Sequence, residues 1–400
     1  HISDTLGGYC FLDKDFKETI AEPRFVDRGK VTAEVFNPDT RILEINSKTG
    51  LYPLYMAYST YRARLRDEIT SVETVEDEWA VWAKTVKENI FVVCKTPMAQ
   101  RITRRTLVGF RDLRVNTRHF EDLINQIKNK PANFIEKVCK GKTYGGNIND
   151  NNMKFNAIVG NPPYQVMDGG GTGSSATPVY NAFVQIAIDT KPLYISQIMP
   201  AKWYSGGKGL DEFREQMLND KHISKLVDFE DSRDVFPTVD IAGGICYFLW
   251  DNSHNGMCKV VNKTSTSTIS STRYLNEFDA FIRDQRVLDI IAKVQQSSTS
   301  FLSQTVYVSK PFGIRSFEKG FPASPGRNIS LFGSSGISYL SEKDIPQNDH
   351  LIPKWKLIMS KASAEHAGQT DKEGRKRIVS RLEVLQPGFI CTESYLLIDT

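Results

Sequence analysis

A doubly wound α/β domain with a mostly parallel sheet, followed by a mainly β domain, is the fold this sequence predicts. Three observations carry the prediction. Short apolar runs of β type alternate with amphipathic helical stretches through about residue 250, as they do where helices cross over a parallel sheet. Beyond that point the chain changes to short strand-like runs broken by Gly, Pro and Ser. Finally, 400 residues exceed what one hydrophobic core usually holds. Two domains are expected, 1–254 and 255–400.

The strands of the first domain are expected at "RILEI" (41–45), "NIFVV" (89–93), "NAIVG" (156–160), "LYISQIM" (193–199), "SKLVDF" (224–229) and "GICYFLW" (244–250). Between them, residues 51–67, 75–89, 97–108, 179–189 and 209–218 place apolar side chains at helical spacing. The Ser/Thr-rich stretch "NKTSTSTISSTR" (262–273) reads as a linker or exposed loop, and a short helix is expected near 279–296. The last residues, "ESYLLIDT", read as the middle of a strand, so an unpaired sheet edge is expected there. With His1 in place of an initiator Met, the sequence is expected to be a piece of a longer polypeptide whose second domain is truncated.

Composition narrows the class. The hydrophobic fraction of 40% and charged fraction of 24% are those of a soluble globular protein, and no apolar run is long enough for a membrane span. The six cysteines (10, 94, 139, 246, 258 and 391) show neither CxxC pairs nor a nearby histidine cluster. That pattern predicts reduced, mostly buried thiols of a cytoplasmic protein, with no metal site. A formal charge of +4 permits nucleic-acid binding without arguing for it.

In an open α/β sheet, ligands bind beyond the carboxyl ends of the strands. After "RILEI" comes "NSKTG" and then a helix, with Glu44 near the strand end and Gly50 free to bring backbone close to a ligand. After "NAIVG" comes Asn161-Pro162-Pro163-Tyr164. The two prolines offer no backbone N–H and fix φ, so this turn is rigid and its carbonyls point outward as open acceptors. Asn161 adds a side-chain carbonyl and Tyr164 a flat ring. Such a turn suits a planar group bearing an amine, which needs two acceptors and a face to stack on.

These residues resemble the N6-adenine DNA methyltransferases. Asn161 to Tyr164 match that family's NPPY catalytic motif, and Ile42-Leu43-Glu44 with Thr49-Gly50 is similar to its S-adenosylmethionine motif. The motif order resembles the gamma class of fused restriction-modification enzymes. Residues 22–36 lie where that class has an upstream cofactor segment, and "VYNAFVQIAI", "MPAKWYSGGKG" and "DVFPTVDIAGGICYFLW" resemble its later motifs, so the likeness spans roughly 20–250. "FGIRS", "WKLIMSKAS" and "CTESYLLI" resemble the TaqI-type target-recognition region more loosely.

The resemblance implies a sheet of the S-adenosylmethionine-dependent methyltransferase type and a C-terminal target-recognition domain. It implies site-specific methylation of adenine N6 in double-stranded DNA by an enzyme of a restriction-modification system, with S-adenosyl-L-methionine as methyl donor. Nuclease or helicase domains are then expected outside these residues, since no nuclease motif stands in convincing strand context. The site residues implied are Asn161, Pro162, Pro163 and Tyr164 for catalysis. Tyr164 stacks on the flipped base, with Phe236 either a second wall or a core residue. Thr32, Glu44, Asn46, Gly50, Cys94 and Asp150 are implied for the cofactor. Thr32 also reads as an ordinary helix N-cap, and Asp150 as part of a solvated turn. Lys48 stands where the family has glycine, and Cys94-Lys95 where it has an acidic ribose contact.

For DNA phosphates the basic run "GRKRIVSR" supplies Arg375, Lys376, Arg377 and Arg381. The arginines of 100–118 fit either phosphate contacts or a solvated helix face. "DGGGTGSS" (168–175) lacks the GK[ST] of a P-loop and reads as a mobile loop beside the pocket. Other readings of the same residues are a methyltransferase acting on an RNA base or a protein glutamine, and a catalytically decayed DNA-specificity module, which Lys48 and Cys94 favour.

Overall fold

A computed structural model describes residues 1–67, 72–145, 148, 150–167, 176–207, 209–297, 300–334, 336–361, 380 and 382–399. The chain forms two compact units, His1–Gln285 and Arg286–Thr400.

The first unit opens with α1 (Ile2–Thr5), the hairpin β1 (Gly8–Leu12) and β2 (Thr19–Val26), and α2 (Lys30–Val35). Then follow β3 (Ile42–Ser47), α3 (Leu51–Asp67), α4 (Val75–Asn89), β4 (Ile90–Cys94), α5 (Pro97–Val108) and β5 (Asn116–His119). Next come α6 (Leu123–Asn129), α7 (Pro131–Val138), β6 (Ala157–Gly160), a small hairpin of β7 (Gln165–Met167) and β8 (Ala176–Pro178), and α8 (Tyr180–Asp189). The unit finishes with β9 (Tyr194–Pro200), α9 (Asp211–Asn219), β10 (Ile223–Phe229), β11 (Ile245–Asp251), β12 (Cys258–Lys263) and β13 (Thr268–Arg273).

Nine of these strands make one mixed sheet in the order β13-β12-β10-β11-β9-β6-β3-β4-β5. Pairing is parallel from β9 through β6, β3 and β4 to β5, and antiparallel at β9–β11, β11–β10 and β12–β13. The central strands read as unbroken apolar runs because helices cover both faces. Leu43, Ile45, Phe91, Val93 and Ile158 face one core with residues of α6 to α9, whereas Ile42, Val92, Ala157 and Val159 face the other with residues of α3, α4 and α5. Helix starts follow local chemistry. Thr74 and Asp77 close a capping box on α4, and Thr96 caps α5 with Pro97 in its first turn.

Two expectations change here. The stretch 262–273, read as a linker, is most of the edge hairpin β12–β13, and the unit boundary falls at 285/286 instead of 254/255. The hairpin pairs in parallel with β10 through β12, so it extends the first sheet.

The second unit begins within α10 (Gln285–Ser297) and holds β14 (Val306–Tyr307), β15 (Ile329–Gly333), β16 (Gly336–Leu340), β17 (Lys356–Ser360), β18 (Leu382–Leu385), β19 (Phe389–Cys391) and β20 (Tyr395–Asp399). They form sheets of order β14-β20-β17-β18 and β16-β15-β19 around a core that includes Phe312, Leu331, Ile358 and Leu397. The last strand, expected to present an open edge, is interior, with Val306–Tyr307 on one side and Lys356–Ser360 on the other.

Candidate functional site

The site lies where the winding of the sheet reverses. From β3 the chain crosses to β4 and then β5 on one side, and returns with β6 to the other side of β3. Crevices in open α/β sheets form at this switch point, beyond the carboxyl ends of the two strands that diverge. The turns that leave β3 and β6 are Ser47–Gly50 and Asn161–Tyr164.

The β3 turn is held by helix α5. Ser47 Oγ lies 3.2 Å from Thr103 Oγ1, and Thr106 Oγ1 donates to the Thr49 carbonyl at 2.6 Å. Gly50 has φ +78°, and a Cβ there would stand 3.0 Å from the Thr103 backbone. Glycine is therefore required by this close approach and by the left-handed backbone. The pairing with β4 slips between Ile45 and Ser47, which leaves Asn46 at φ 77° as the irregular residue. Glu44 is 5% and Asn46 3% exposed, and neither Glu44 Oε2 nor Asn46 Nδ2 has a hydrogen-bond partner. Burial pushes the Glu44 carboxyl up to about 8, although the Ser47 hydroxyl and the charge of Lys48 both work against the shift.

The β6 turn makes the floor of a cleft of about 590 Å³. Asn161 to Gln165 line it together with Lys48, Tyr180, Lys202 and the segment Val239–Ala242. Gly160 lets the two turns approach, since a Cβ there would meet the Ile45 carbonyl at 3.3 Å. Among the described residues no donor reaches the Pro162 carbonyl. The buried Tyr164 hydroxyl is pushed above its ordinary range, mainly by desolvation. The Asn161 side chain lies beside it and opposes the shift, yet no hydrogen bond of acceptable geometry joins them. Burial pushes the Tyr52 hydroxyl above its ordinary range, and Glu44 and Tyr164 add to the shift.

The wall at 239–242 is pinned from behind. Ser232 Oγ donates to the Val239 carbonyl at 2.9 Å and accepts from Ile241 N at 2.8 Å. Arg283 binds the fully buried Asp228 at 2.8 Å and the Gly243 carbonyl at 2.6 Å. Phe236 is half-buried in the apolar cluster that also receives Tyr164 and Ile241, and it does not itself line the cleft.

Three residues expected at the cofactor do not line this cleft. Cys94 is fully buried, its Sγ 3.9 Å from Thr103 Oγ1, and burial pushes its thiol up to about 12. It packs under α5, beside Ser47 in the β3–β4 pairing. Asp150 binds Arg41 at 2.6 Å, which holds its carboxyl below the usual range. Arg41 precedes β3, so Asp150 lies at the amino end of a strand whose carboxyl end bears the site. Thr32 is not the N-cap of α2, which is Gly29. Its hydroxyl is spent between Arg28 N at 2.7 Å and the Leu6 carbonyl at 2.9 Å.

Several arginines of 100–118 are engaged locally. Arg105 binds the Gly109 carbonyl, Arg111 covers the Trp79 ring at 4.2 Å, and Arg114 binds the Tyr144 carbonyl. Arg375, Lys376, Arg377 and Arg381 lie outside the described residues, as does the loop 168–175. Lys48, Tyr180, Lys202, Ser232, Arg283 and the segment Val239–Ala242 are parts of the site that the sequence did not reveal. The Tyr180 signal was available in "VYNAFV", directly after the hairpin that follows the Asn161–Tyr164 turn.

Residues 88–236, which contain the Asn161–Tyr164 turn, match the model of the Eco57I restriction-modification methylase family. Over 166 residues the chain is 37% identical to an adenine-specific methylase of Mycoplasma pneumoniae, covering 38% of this chain and 39% of that relative. The chain thus spans about two fifths of that relative's length. Among solved structures, the Type IIL restriction-modification enzyme MmeI in complex with DNA overlays 91% of this chain and 57% of its own, at 10% identity and TM-score 0.49. The ATP-dependent Type ISP enzyme LlaBIII bound to DNA overlays 90% of this chain and 31% of its own, at 8% identity and TM-score 0.49. No helix among the described residues is long and apolar enough to cross a membrane.

Proposed function

We infer that this chain is the gamma-class methyltransferase of a restriction-modification system, moving a methyl group from S-adenosylmethionine to N6 of an adenine flipped out of duplex DNA. The observation that carries this reading is the pairing, at one switch point, of the open-acceptor Asn161–Tyr164 turn with the orphaned buried groups of Glu44 and Asn46. A buried polar atom without a partner costs about 1–3 kcal/mol, so a ligand that satisfies two of them recovers much of its own binding cost. Glu44 and Asn46 suit the polar end of the cofactor, an acceptor and a donor side by side.

When bound, S-adenosylmethionine supplies an electrophilic methyl group on a sulfonium. The chain's own residues supply the rest. An exocyclic adenine amine is a weak nucleophile because its lone pair is delocalised into the ring. Asn161 Oδ1 and the Pro162 carbonyl accept its two N–H bonds and favour a pyramidal nitrogen, which is electrostatic preorganisation in a rigid turn. Alkylation makes that nitrogen acidic, so its proton leaves without a strong base. The target atom is unreachable in a duplex, and flipping the base out costs on the order of a few kcal/mol. The Tyr164 ring offsets part of that cost by stacking. The second unit, with the basic run at 374–381, is the DNA reader in this scheme, because a one-base cleft has too little surface to read flanking pairs.

Incubating the chain with methyl-labelled S-adenosylmethionine and mixed duplex DNA, then digesting to nucleosides, tests the reading. Label is expected in N6-methyladenine. Label only in RNA or in protein glutamine would replace the substrate, and cofactor binding without transfer would identify a decayed specificity module.

A further inference from the structure

Lys48 lines the cleft beside Asn161, is exposed, and has neither an ion-pair nor a hydrogen-bond partner among the described residues. It follows by two and four residues the orphaned Asn46 Nδ2 and Glu44 Oε2, both on side chains more than nine-tenths buried. Lys48 thus lies on the cleft, and within the four residues before it the chain buries one acceptor and one donor without partners. That set complements a zwitterion: a carboxyl oxygen takes up an ammonium, while an amide N–H and an ammonium take up a carboxylate. Among the described residues Asp240 is the carboxylate of the cleft lining, and Lys48 stands in that lining beside Asn161.

We propose that Lys48 is a specificity residue of this site, clamping the carboxylate of the cofactor's amino-acid end while Glu44 receives its ammonium. The proposal rests on the methyltransferase reading and goes beyond it. A turn that needed only close backbone approach would be served by glycine at 48, whereas a lysine adds a charge that recognises an α-carboxylate directly. The clamp makes the chain discriminate between S-adenosylmethionine and the same molecule without its carboxylate.

Calorimetric titration of the full chain with S-adenosylmethionine and with decarboxylated S-adenosylmethionine tests it. Wild type is expected to bind the first about tenfold tighter. Lys48→Met should lose about tenfold for S-adenosylmethionine and nothing for the decarboxylated form, and Lys48→Arg should restore most of the difference. Equal losses for both ligands, or none, overturn the clamp. So does a Lys48→Met chain that keeps full discrimination but binds duplex DNA with a shallower salt dependence, because the cation then serves a phosphate. If wild type binds neither ligand, the methyltransferase reading fails, whereas binding without discrimination removes the clamp alone.

Discussion

The two ends of the same parallel strands are built to different rules. At the amino ends, buried polar groups are satisfied many times over. Asn89 donates to the Pro38 and Thr40 carbonyls at 2.9 and 2.5 Å, the 3%-exposed Arg64 binds Glu88, Asn89 and the Pro38 carbonyl, and Asn116 donates to the carbonyls of Lys87 and Ile90. At the carboxyl ends, Glu44 Oε2, Asn46 Nδ2 and the Tyr164 hydroxyl are buried with no partner. Two carboxylates make the contrast concrete: Asp150, off the amino end of β3, is held ionised by Arg41, while Glu44, within β3, is held protonated by burial. Satisfied groups stabilise the scaffold, and unsatisfied ones gathered beside a cleft are candidates for contact with a ligand.

That contrast predicts which variants cost activity and which cost stability. The largest effect is expected from Asn161→Ala, with about 100-fold or more lost in single-turnover methyl transfer and cofactor affinity nearly unchanged, as when one oxyanion-type donor is removed elsewhere. Near-normal turnover in that variant would dissolve the distinction between the two ends.

Glu44→Gln should show its effect in the pH dependence of unfolding. The folded carboxyl titrates near 8, above its value in the unfolded chain, so its favourable contribution is complete below about pH 4 and is lost as pH rises through 8. The variant should match wild type in acid and gain on the order of a few kcal/mol over it above pH 8 in ligand-free denaturant melts. A pH-independent difference would mean that folding does not raise the Glu44 carboxyl above its unfolded value.

Asn89→Ala is expected to cost about 2 kcal/mol of stability, since two carbonyls and Arg64 lose a buried partner, with the cofactor affinity of the folded protein unaltered. Tyr164→Ala should weaken DNA with a mismatched target by about 1–3 kcal/mol through lost stacking. Tyr164→Phe should be close to neutral, because the hydroxyl makes no hydrogen bond to lose. Gel-shift titrations of the two variants separate ring from hydroxyl.

Much of this was legible in the sequence, for a physical reason. Central strands buried on both faces announce themselves as apolar runs, so β3, β4, β6, β9, β10 and β11 fall where the runs do, and the residues following β3 and β6 could be singled out in advance. What the sequence did not show was spatial. Nothing local in "GGNINDNN" tells that Asp150 reaches Arg41 at the far end of β3, or in "FVVCKTP" that Cys94 turns under α5. The slip at Asn46 redirects the turn without leaving a compositional trace. The strand Thr268–Arg273 was hidden by its composition, because an edge strand with alternating exposure can be built from Ser and Thr and look like a linker. β5, four residues with the sequence NTRH, has the same disguise.

The same two carboxylates provide the most direct test, by calorimetric titration of S-adenosylmethionine into wild type, Glu44→Gln and Asp150→Asn under one buffer. Glu44→Gln is predicted to bind about tenfold more weakly, because the cofactor's ammonium ionises Glu44 on binding and a neutral Gln cannot form that ion pair, and Asp150→Asn to bind as wild type does. Weakened binding in Asp150→Asn with unchanged binding in Glu44→Gln would put the cofactor at the wrong end of the strand and contradict the account.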